Sequence, residues 1–348
     1  MENYLERVWK SEKSTEKEFM KEAVLIIGFN RPQKLKEVLE KVLAYDPTKL
    51  YVFCDAPREG VEGEAEKCSL VRNIVLSSGH PSLSLFFPKK NLGCKNGPPS
   101  AISWFFAHEL RGIVLEDDIV PYEGFFEFCE KYLDEYENDS SIFLISGFNP
   151  LGFVECAQTT VLTKFPQIWG WATWRRAWSN YSNYITRKEL DSNRKVLKSW
   201  INRKMHFGFW MENFNRVADQ GMNTWDYQFV FHILKSEGYG ILPVANLIRN
   251  IGFDGEATHK TERKYEFPSF DHDMDARARA MSPVYVPSID RRIGRELYFI
   301  ASRGQHDVRD RMLGEVKSLL FRPWYKIKRI LGIKRVVFWK SSNGRRVK

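Results

Sequence analysis

The chain has 348 residues, 43% of them hydrophobic and 28% charged, enough to bury a substantial core as one large domain or two. Its formal net charge of +9 is concentrated, because ten Lys and Arg residues fall between Arg322 and Lys348, where there is no Asp or Glu. The remainder is near neutral, which argues against a global nucleic-acid-binding surface, and no run approaches the roughly 18 apolar residues of a membrane span.

In chain order, Ala23–Phe29 reads as a buried strand, and Asn30-Arg31-Pro32 as the turn that follows it. Pro32 suits the first position of a helix, and Leu35, Val38, Leu39, Val42 and Leu43 then recur at helical spacing. A second strand, Leu50–Cys54, ends at Asp55, and Val61–Leu76 follows as a helix. Leu83–Phe87 is a third strand, Ser100–Leu110 a helix, and Ile113–Leu115 a fourth strand. This alternation predicts an α/β fold with a mostly parallel sheet covered by helices on both faces. Beyond Pro121 a helix presents Phe125, Phe128, Cys129 and Tyr132 on one face, and Ile142–Ser146 is a further strand. Residues 165–235 read as helical and aromatic, 239–259 as a strand pair, and 260–290 as polar and irregular. The expected organisation is a polar segment 1–21, a catalytic domain 22–260, a helical C-terminal extension 261–317 and a basic tail 318–348.

The five cysteines, Cys54, Cys68, Cys94, Cys129 and Cys156, are odd in number and contain no CxxC pair. Neither a zinc site nor a disulfide framework is suggested, and a reducing compartment fits. Met1–Lys21 is rich in Glu and Lys and carries no apolar stretch resembling a signal peptide, so a cytoplasmic location is expected.

The most informative segment is Glu116-Asp117-Asp118, directly after the apolar run 112–115. An apolar strand ending in acids puts carboxylates at the carboxyl end of a buried sheet, where open α/β folds bind ligands. Three adjacent carboxylates repel one another, so a cation belongs among them, and a divalent metal carrying a diphosphate is the natural candidate. A capping turn is the simpler alternative, but one acid suffices for a cap. Arg31 and Asp55 end the first two strands on the same edge, where an arginine can stack on a base or neutralise phosphate and a carboxylate can accept an imide N–H. Trp225-Asp226-Tyr227 places an acid at a helix start, as a cap or as a base.

The order strand-Asn-Arg-Pro, strand-Asp, strand-Glu-Asp-Asp, an aromatic Trp-Gly-Trp segment and then Trp-Asp resembles the GT-A glycosyltransferases. It is similar to the family of the N-acetylglucosaminyltransferase that initiates complex N-glycans and to related bacterial glycosyltransferases, over about residues 23–260. The resemblance implies a GT-A (Rossmann-like) fold, a nucleotide-diphosphate sugar donor, UDP-linked by preference, Mn2+ or Mg2+ as cofactor, and inversion at the transferred sugar. It implies Asp118 as a metal ligand, Asp117 at the ribose, Glu116 at the donor sugar, Arg31 and Asp55 at the nucleotide, and Asp226 as general base. Within the loop Asn91–Gly97 it implies Lys95 and Gly97 at the donor, and it makes His259 a second metal ligand.

A metal-neutralised nucleoside diphosphate leaves without help from a protein acid, so one base near the acceptor hydroxyl suffices. The segment Gln167–Trp178 holds four Trp within ten residues. Trp169, Gly170 and Trp171 are expected at the sugar pocket, since flat rings stack on pyranose faces and glycine admits close approach. Trp174 and Trp178, at i and i+4, are expected to pack. Residues 318–348 interleave bulky apolar and basic side chains, the pattern of a membrane-surface anchor, which would bring the chain to a glycan or lipid-linked acceptor at the inner face of the membrane. The alternatives are a sugar-nucleotide nucleotidyltransferase, which usually opens on a Gly-rich phosphate loop that this chain lacks, and a non-catalytic membrane-associated scaffold.

Overall fold

Four apolar runs build the parallel half of the sheet in the computed structural model, which describes residues 21–122, 124–152, 154, 159–252 and 282–302. They are β1 (Val24–Gly28), β2 (Leu50–Cys54), β3 (Leu83–Phe86) and β4 (Arg111–Glu116), joined by α1 (Pro32–Tyr45), α2 (Glu64–Leu76) and α3 (Gly93–His108). β1 pairs in parallel with both β2 and β4, and β2 with β3. The chain therefore leaves β1 toward one edge and returns on its other side at β4. That reversal opens a crevice at the carboxyl ends of β1 and β4.

The second half contains β5 (Ile119–Pro121), α4 (Phe125–Glu135), β6 (Ile142–Ser146), β7 (Thr160–Thr163), β8 (Trp171–Trp174), α5 (Arg175–Trp178), α6 (Arg187–Ile201), α7 (Lys204–Gln220), α8 (Asp226–Lys235), β9 (Tyr239–Pro243), β10 (Ile248–Asn250), β11 (Val284–Tyr285) and α9 (Pro287–Ser302). The main sheet runs β11-β7-β9-β6-β8-β4-β1-β2-β3, and β5 pairs separately with β10. Five of its eight pairings among the described residues are parallel, so the sheet is mostly parallel, as the sequence predicts. The chain divides into two units, Met1–Leu297 and Tyr298–Lys348. The elements named here belong to the first, apart from the last turn of α9.

Strand alternation sends alternate side chains into two cores. Val24, Ile26, Val52, Ile113 and Leu115 meet α1, α2 and α4, through Leu35, Val38, Val71, Phe125 and Tyr132. Leu25, Ile27, Phe53 and Val114 meet α3, α5 and α8, through Ile102, Phe105, Trp178 and Phe229. A third core gathers α6, α7 and the first turns of α9 around Phe165, Trp210, Phe214 and Ile293. Each fully buried apolar side chain contributes about 1.5–3 kcal/mol, and this burial is what holds the strand ends in place.

Three expectations are corrected. Trp171–Trp174 is a strand, not a helix, inserted antiparallel between β4 and β6. Its period of two puts Trp171 and Trp174 on opposite faces, in different cores. The strands expected as a pair within 239–259 do not pair with each other, since β9 lies between β6 and β7 and β10 lies against β5. α3 begins at Gly93, well before Ser100, and carries Pro98 and Pro99 inside it. It can start there because the Asp55 carboxylate receives the N–H groups of Leu92, at 2.9 Å, and Gly93, at 2.9 Å. No helix among the described residues is long and apolar enough to cross a membrane, and residues 318–348 lie outside them.

The closeness of α3 to β4 depends on Gly112, where an added Cβ would lie 2.4 Å from the Phe105 ring and 2.7 Å from the Ala23 carbonyl oxygen. Gly112→Ala is expected to cost about 1–3 kcal/mol by overpacking, read as a lower urea midpoint with unchanged slope. His232 makes a pH-dependent contribution. It is buried against Phe143, and neither ring nitrogen finds a partner among the described residues. Burial, with Lys235 nearby, lowers its pKa to about 4. The folded state therefore holds a neutral imidazole that the unfolded chain protonates first as pH falls. Stability is expected to be full above about pH 6.5 and to fall by up to about 3 kcal/mol toward pH 4. Urea unfolding of wild type and His232→Leu at pH 7 and pH 4.5 checks this, the variant losing much less.

Candidate active site

The crevice is built by the residues that follow β1 and β4. The Asp117 N–H donates to the Ile27 carbonyl at 3.0 Å, continuing the β1–β4 ladder past its last strand residue. The Asp117 carboxylate in turn accepts the Phe29 N–H at 3.1 Å. Pro32 opens α1, so Arg31 stands at its N-cap and is directed across the crevice. Its guanidinium donates to Asp117 Oδ1 and, at 2.7 Å, to Asp118 Oδ2. Asp117 is 1% exposed, so this pairing holds a buried charge. Burial works against the Arg31 cation, but the Asp117 and Asp118 charges outweigh it and raise its pKa.

One cation among the three acids is thus a side chain of this protein, Arg31, set against Asp117 and Asp118. Arg31 is 86 residues from Asp117, so no local pattern in the sequence shows that they meet. Among the described residues no group of three or more His, Cys, Asp or Glu side chains is arranged to hold a metal. The carboxylate expected to ligate it, Asp118, is occupied by Arg31. The donor set therefore does not by itself form a metal site. His259 lies outside the described residues.

Asp118 is clasped from a second direction that the sequence did not reveal. Its carbonyl accepts the Ile251 N–H at 2.9 Å, where the chain leaves β10. A Cβ on Gly252 would lie 2.1 Å from Asp118 Oδ2. The Asn250 side chain holds the Gly252 N–H at 2.8 Å. The signal for it in the sequence is Gly252 itself, a residue without a Cβ seven positions before His259.

Glu116 turns the other way. As an alternate residue of β4 it shares the face of Val114, toward α3 and α8. Burial first, then Asp118 and Asp117, raise its carboxyl pKa, with Arg31 opposing and Asp226 adding to the rise. The Cys94 thiol in α3 feels both Glu116 and Asp226 and is pushed up to about 11, mainly by burial. Glu116, Cys94 and Asp226 are therefore electrostatic neighbours. Asp226 is the first residue of α8, partly exposed, and its Oδ1 accepts the Thr224 hydroxyl. Below it Trp225 stacks on Trp171, with ring centroids 6.4 Å apart.

The other expected donor residues divide. Lys95 lies in the first turn of α3, not in a loop, and its Nζ sits 5.0 Å over the Tyr184 ring. Tyr181, in the same 181–184 segment, feels the Asp226 charge, which places Lys95 on that side of the crevice. Asp55 sits at the end of β2, but four donors fill its carboxylate: the N–H groups of Ala56, Leu92 and Gly93, and the Asn91 amide. Gly97 backs onto it, a Cβ there lying 3.4 Å from Asp55 Oδ2. Both residues shape the start of α3, and among the described residues the Asp55 carboxylate is taken up by these donors. Trp171 is 1% exposed and enclosed by Trp178, Trp225 and Phe229, so it offers no face to a sugar. Trp169 is half-buried, with its ring 4.6 Å from Phe148. Gly170, at φ +58, lets the chain pass Ile248 and Ile119, which a Cβ would strike at 2.7 and 3.0 Å.

What the crevice can do follows from this arrangement. One wall carries a guanidinium between two carboxylates, whose remaining oxygens can accept hydroxyl groups of a ligand. The opposite wall carries Asp226, exposed enough to reach a proton and oriented by a hydroxyl.

No protein-family model matches the chain, and no curated protein does. Among solved structures, the mannosyltransferase PcManGT from Pyrobaculum calidifontis, in complex with GDP-Man and Mn2+, is similar at 11% identity. The match covers 66% of this chain and 76% of that one, with a TM-score of 0.35. The glycosyltransferase GlyE of Streptococcus pneumoniae TIGR4 is similar at 14% identity over 64% of this chain and 55% of that one, with a TM-score of 0.27. Scores this low describe a loose likeness of outline and assign no activity.

Proposed function

We propose that the chain is a GT-A glycosyltransferase, moving a sugar from a nucleotide-diphosphate donor to an acceptor hydroxyl. The observation that carries this reading is the convergence of Arg31, Asp117 and Asp118 with Glu116 and Asp226 on one carboxyl edge of the sheet. The order of these motifs along the chain, which resembles the N-acetylglucosaminyltransferase family, also supports it.

In this reading Arg31, Asp117 and Asp118 hold the nucleotide end of the donor, Glu116 faces the sugar, and Asp226 faces the acceptor. Asp226 takes the proton of the acceptor hydroxyl as its oxygen bonds to the anomeric carbon. The bond from that carbon to the diphosphate oxygen breaks, and its electron pair leaves with the nucleoside diphosphate. Attack from the side opposite the leaving group inverts the anomeric centre, so no protein nucleophile is consumed. A divalent Mn2+ or Mg2+ ion, brought by the diphosphate, would supply charge neutralisation, with Asp118 as the carboxylate to meet it. We infer a UDP-sugar donor and a glycan or lipid-linked acceptor, reached at the inner face of the membrane through residues 318–348.

Release of nucleoside diphosphate, followed across a panel of UDP-, GDP- and other nucleotide sugars with Mn2+ and candidate acceptors, tests the reading. Acceptor-dependent release from one donor class is expected. Release from none of them would refute it.

A further inference from the structure

Between the first turns of α7 and α9 lies a cleft of about 520 Å3 that shares no lining residue with the crevice described above. Ser288, Arg291, Arg292 and Arg295 stand at i, i+3, i+4 and i+7 on α9 and form one exposed stripe. Ile289, Asp290, Ile293 and Gly294 fill the buried side of the same helix. Arg203 and Lys204, the N-cap and first residue of α7, form the other wall.

Five cations therefore surround one cleft, and among the described residues none of them is in an ion pair with an acid. Asp290 is turned inward, accepting from Thr163 Oγ1 at 2.8 Å, the Lys164 N–H at 3.0 Å and the Tyr285 hydroxyl at 3.1 Å. Glu296 is not among the lining residues. The first turn of α7 holds no acid, and its free N–H groups add positive charge where cations are least favoured. Such a concentration of one sign is relieved by an anion.

A second observation lies at the floor. His206 lines the cleft at 3% exposure, and its Nδ1 has no hydrogen-bond partner among the described residues. α9 closes on it at Gly294, where a Cβ would stand 2.6 Å from that nitrogen. Burial, and then Arg203 and Arg295, hold the imidazole below its usual pKa. The Nδ1 edge of this ring is covered by α9, so the floor of the cleft is a neutral imidazole and its charge lies in the five cations of the rim, none of them in an ion pair among the described residues.

We propose that this cleft binds a phosphate group, as a phosphomonoester or a diphosphate. Guanidinium forks match phosphate oxygens in pairs, helix N-termini receive phosphates, and five cations call for more than a single negative charge. The phosphate belongs either to a soluble ligand or to a lipid headgroup. The proposal does not depend on the glycosyltransferase reading.

Calorimetric titration of the full chain with inorganic pyrophosphate tests it, at low salt and with EDTA so that no metal-held diphosphate contributes. Wild type is expected to bind. Arg291→Gln/Arg292→Gln/Arg295→Gln, confined to the exposed stripe and checked for an unchanged Tm, should bind at least tenfold more weakly. The corresponding Lys variant, which keeps the charges but not the forks, should bind more tightly than the Gln variant and more weakly than wild type. Displacement of pyrophosphate by phosphatidylglycerol vesicles would identify a headgroup, and retention in their presence a soluble phosphate. A wild-type chain that does not bind pyrophosphate, or a Gln variant that binds as tightly, would overturn the proposal. Because the probe carries neither nucleotide nor sugar, its outcome is separate from that of the donor experiments.

Discussion

Arg31→Met is expected to destabilise the chain by about 3–5 kcal/mol, because it leaves Asp117 and Asp118 charged and without their cation. Asp117 suffers most, being 1% exposed and fixed by the Phe29 N–H as well as by Arg31. The loss should be smaller in Arg31→Lys, which keeps a charge but not the fork that reaches both acids. It should also be far from additive with Asp117→Asn, since neutralising the acid removes the reason for the cost. Urea unfolding of the single and double variants gives the coupling directly. Additive losses would mean that the guanidinium does not hold the acids as the geometry indicates.

Asp226→Asn is expected to lower kcat by about 10²–10⁴ while leaving nucleotide-sugar affinity nearly unchanged. An amide preserves the shape and can still accept the Thr224 hydroxyl, but it cannot take a proton from an acceptor. Thr224→Val, which leaves the carboxylate and removes only its partner, should cost much less. Steady-state kinetics alongside donor binding separates the two effects. A variant that loses binding and rate together would place Asp226 with the donor instead.

The sequence made the parallel half of the fold legible because β1, β2 and the middle of β4 are buried on both faces and read as unbroken apolar runs, while the edge strand β3 carries Ser84 between Leu83 and Leu85. Leu35, Val38, Leu39 and Val42 likewise spelled out α1, and all four are buried. The triplet after β4 was readable as a site for the same reason, since acids that end a buried strand have only its rim to occupy. The Trp-rich segment was misread because two tryptophans four residues apart fit a helix face. The competing alternation of Trp171 and Trp174 about the plane of β8 needs only four residues and is easily overlooked. The partners of the acids were illegible, because Arg31 and the Asn250–Gly252 clasp are brought to Asp118 by sheet order and not by spacing. Asp55 shows the converse. Its position at the end of β2 was readable, but not that the start of α3 takes up its carboxylate.

On the proposed function, the crevice between β1 and β4 binds a nucleotide-diphosphate sugar. Calorimetric titration of the full chain with a panel of UDP-sugars and Mn2+ tests it most directly, with Arg31→Lys and Asp226→Asn in parallel. Saturable binding of one donor by wild type is expected, with comparable binding by Asp226→Asn and binding at least tenfold weaker by Arg31→Lys. Failure of every nucleotide sugar to bind the wild-type chain, with or without metal, would contradict it.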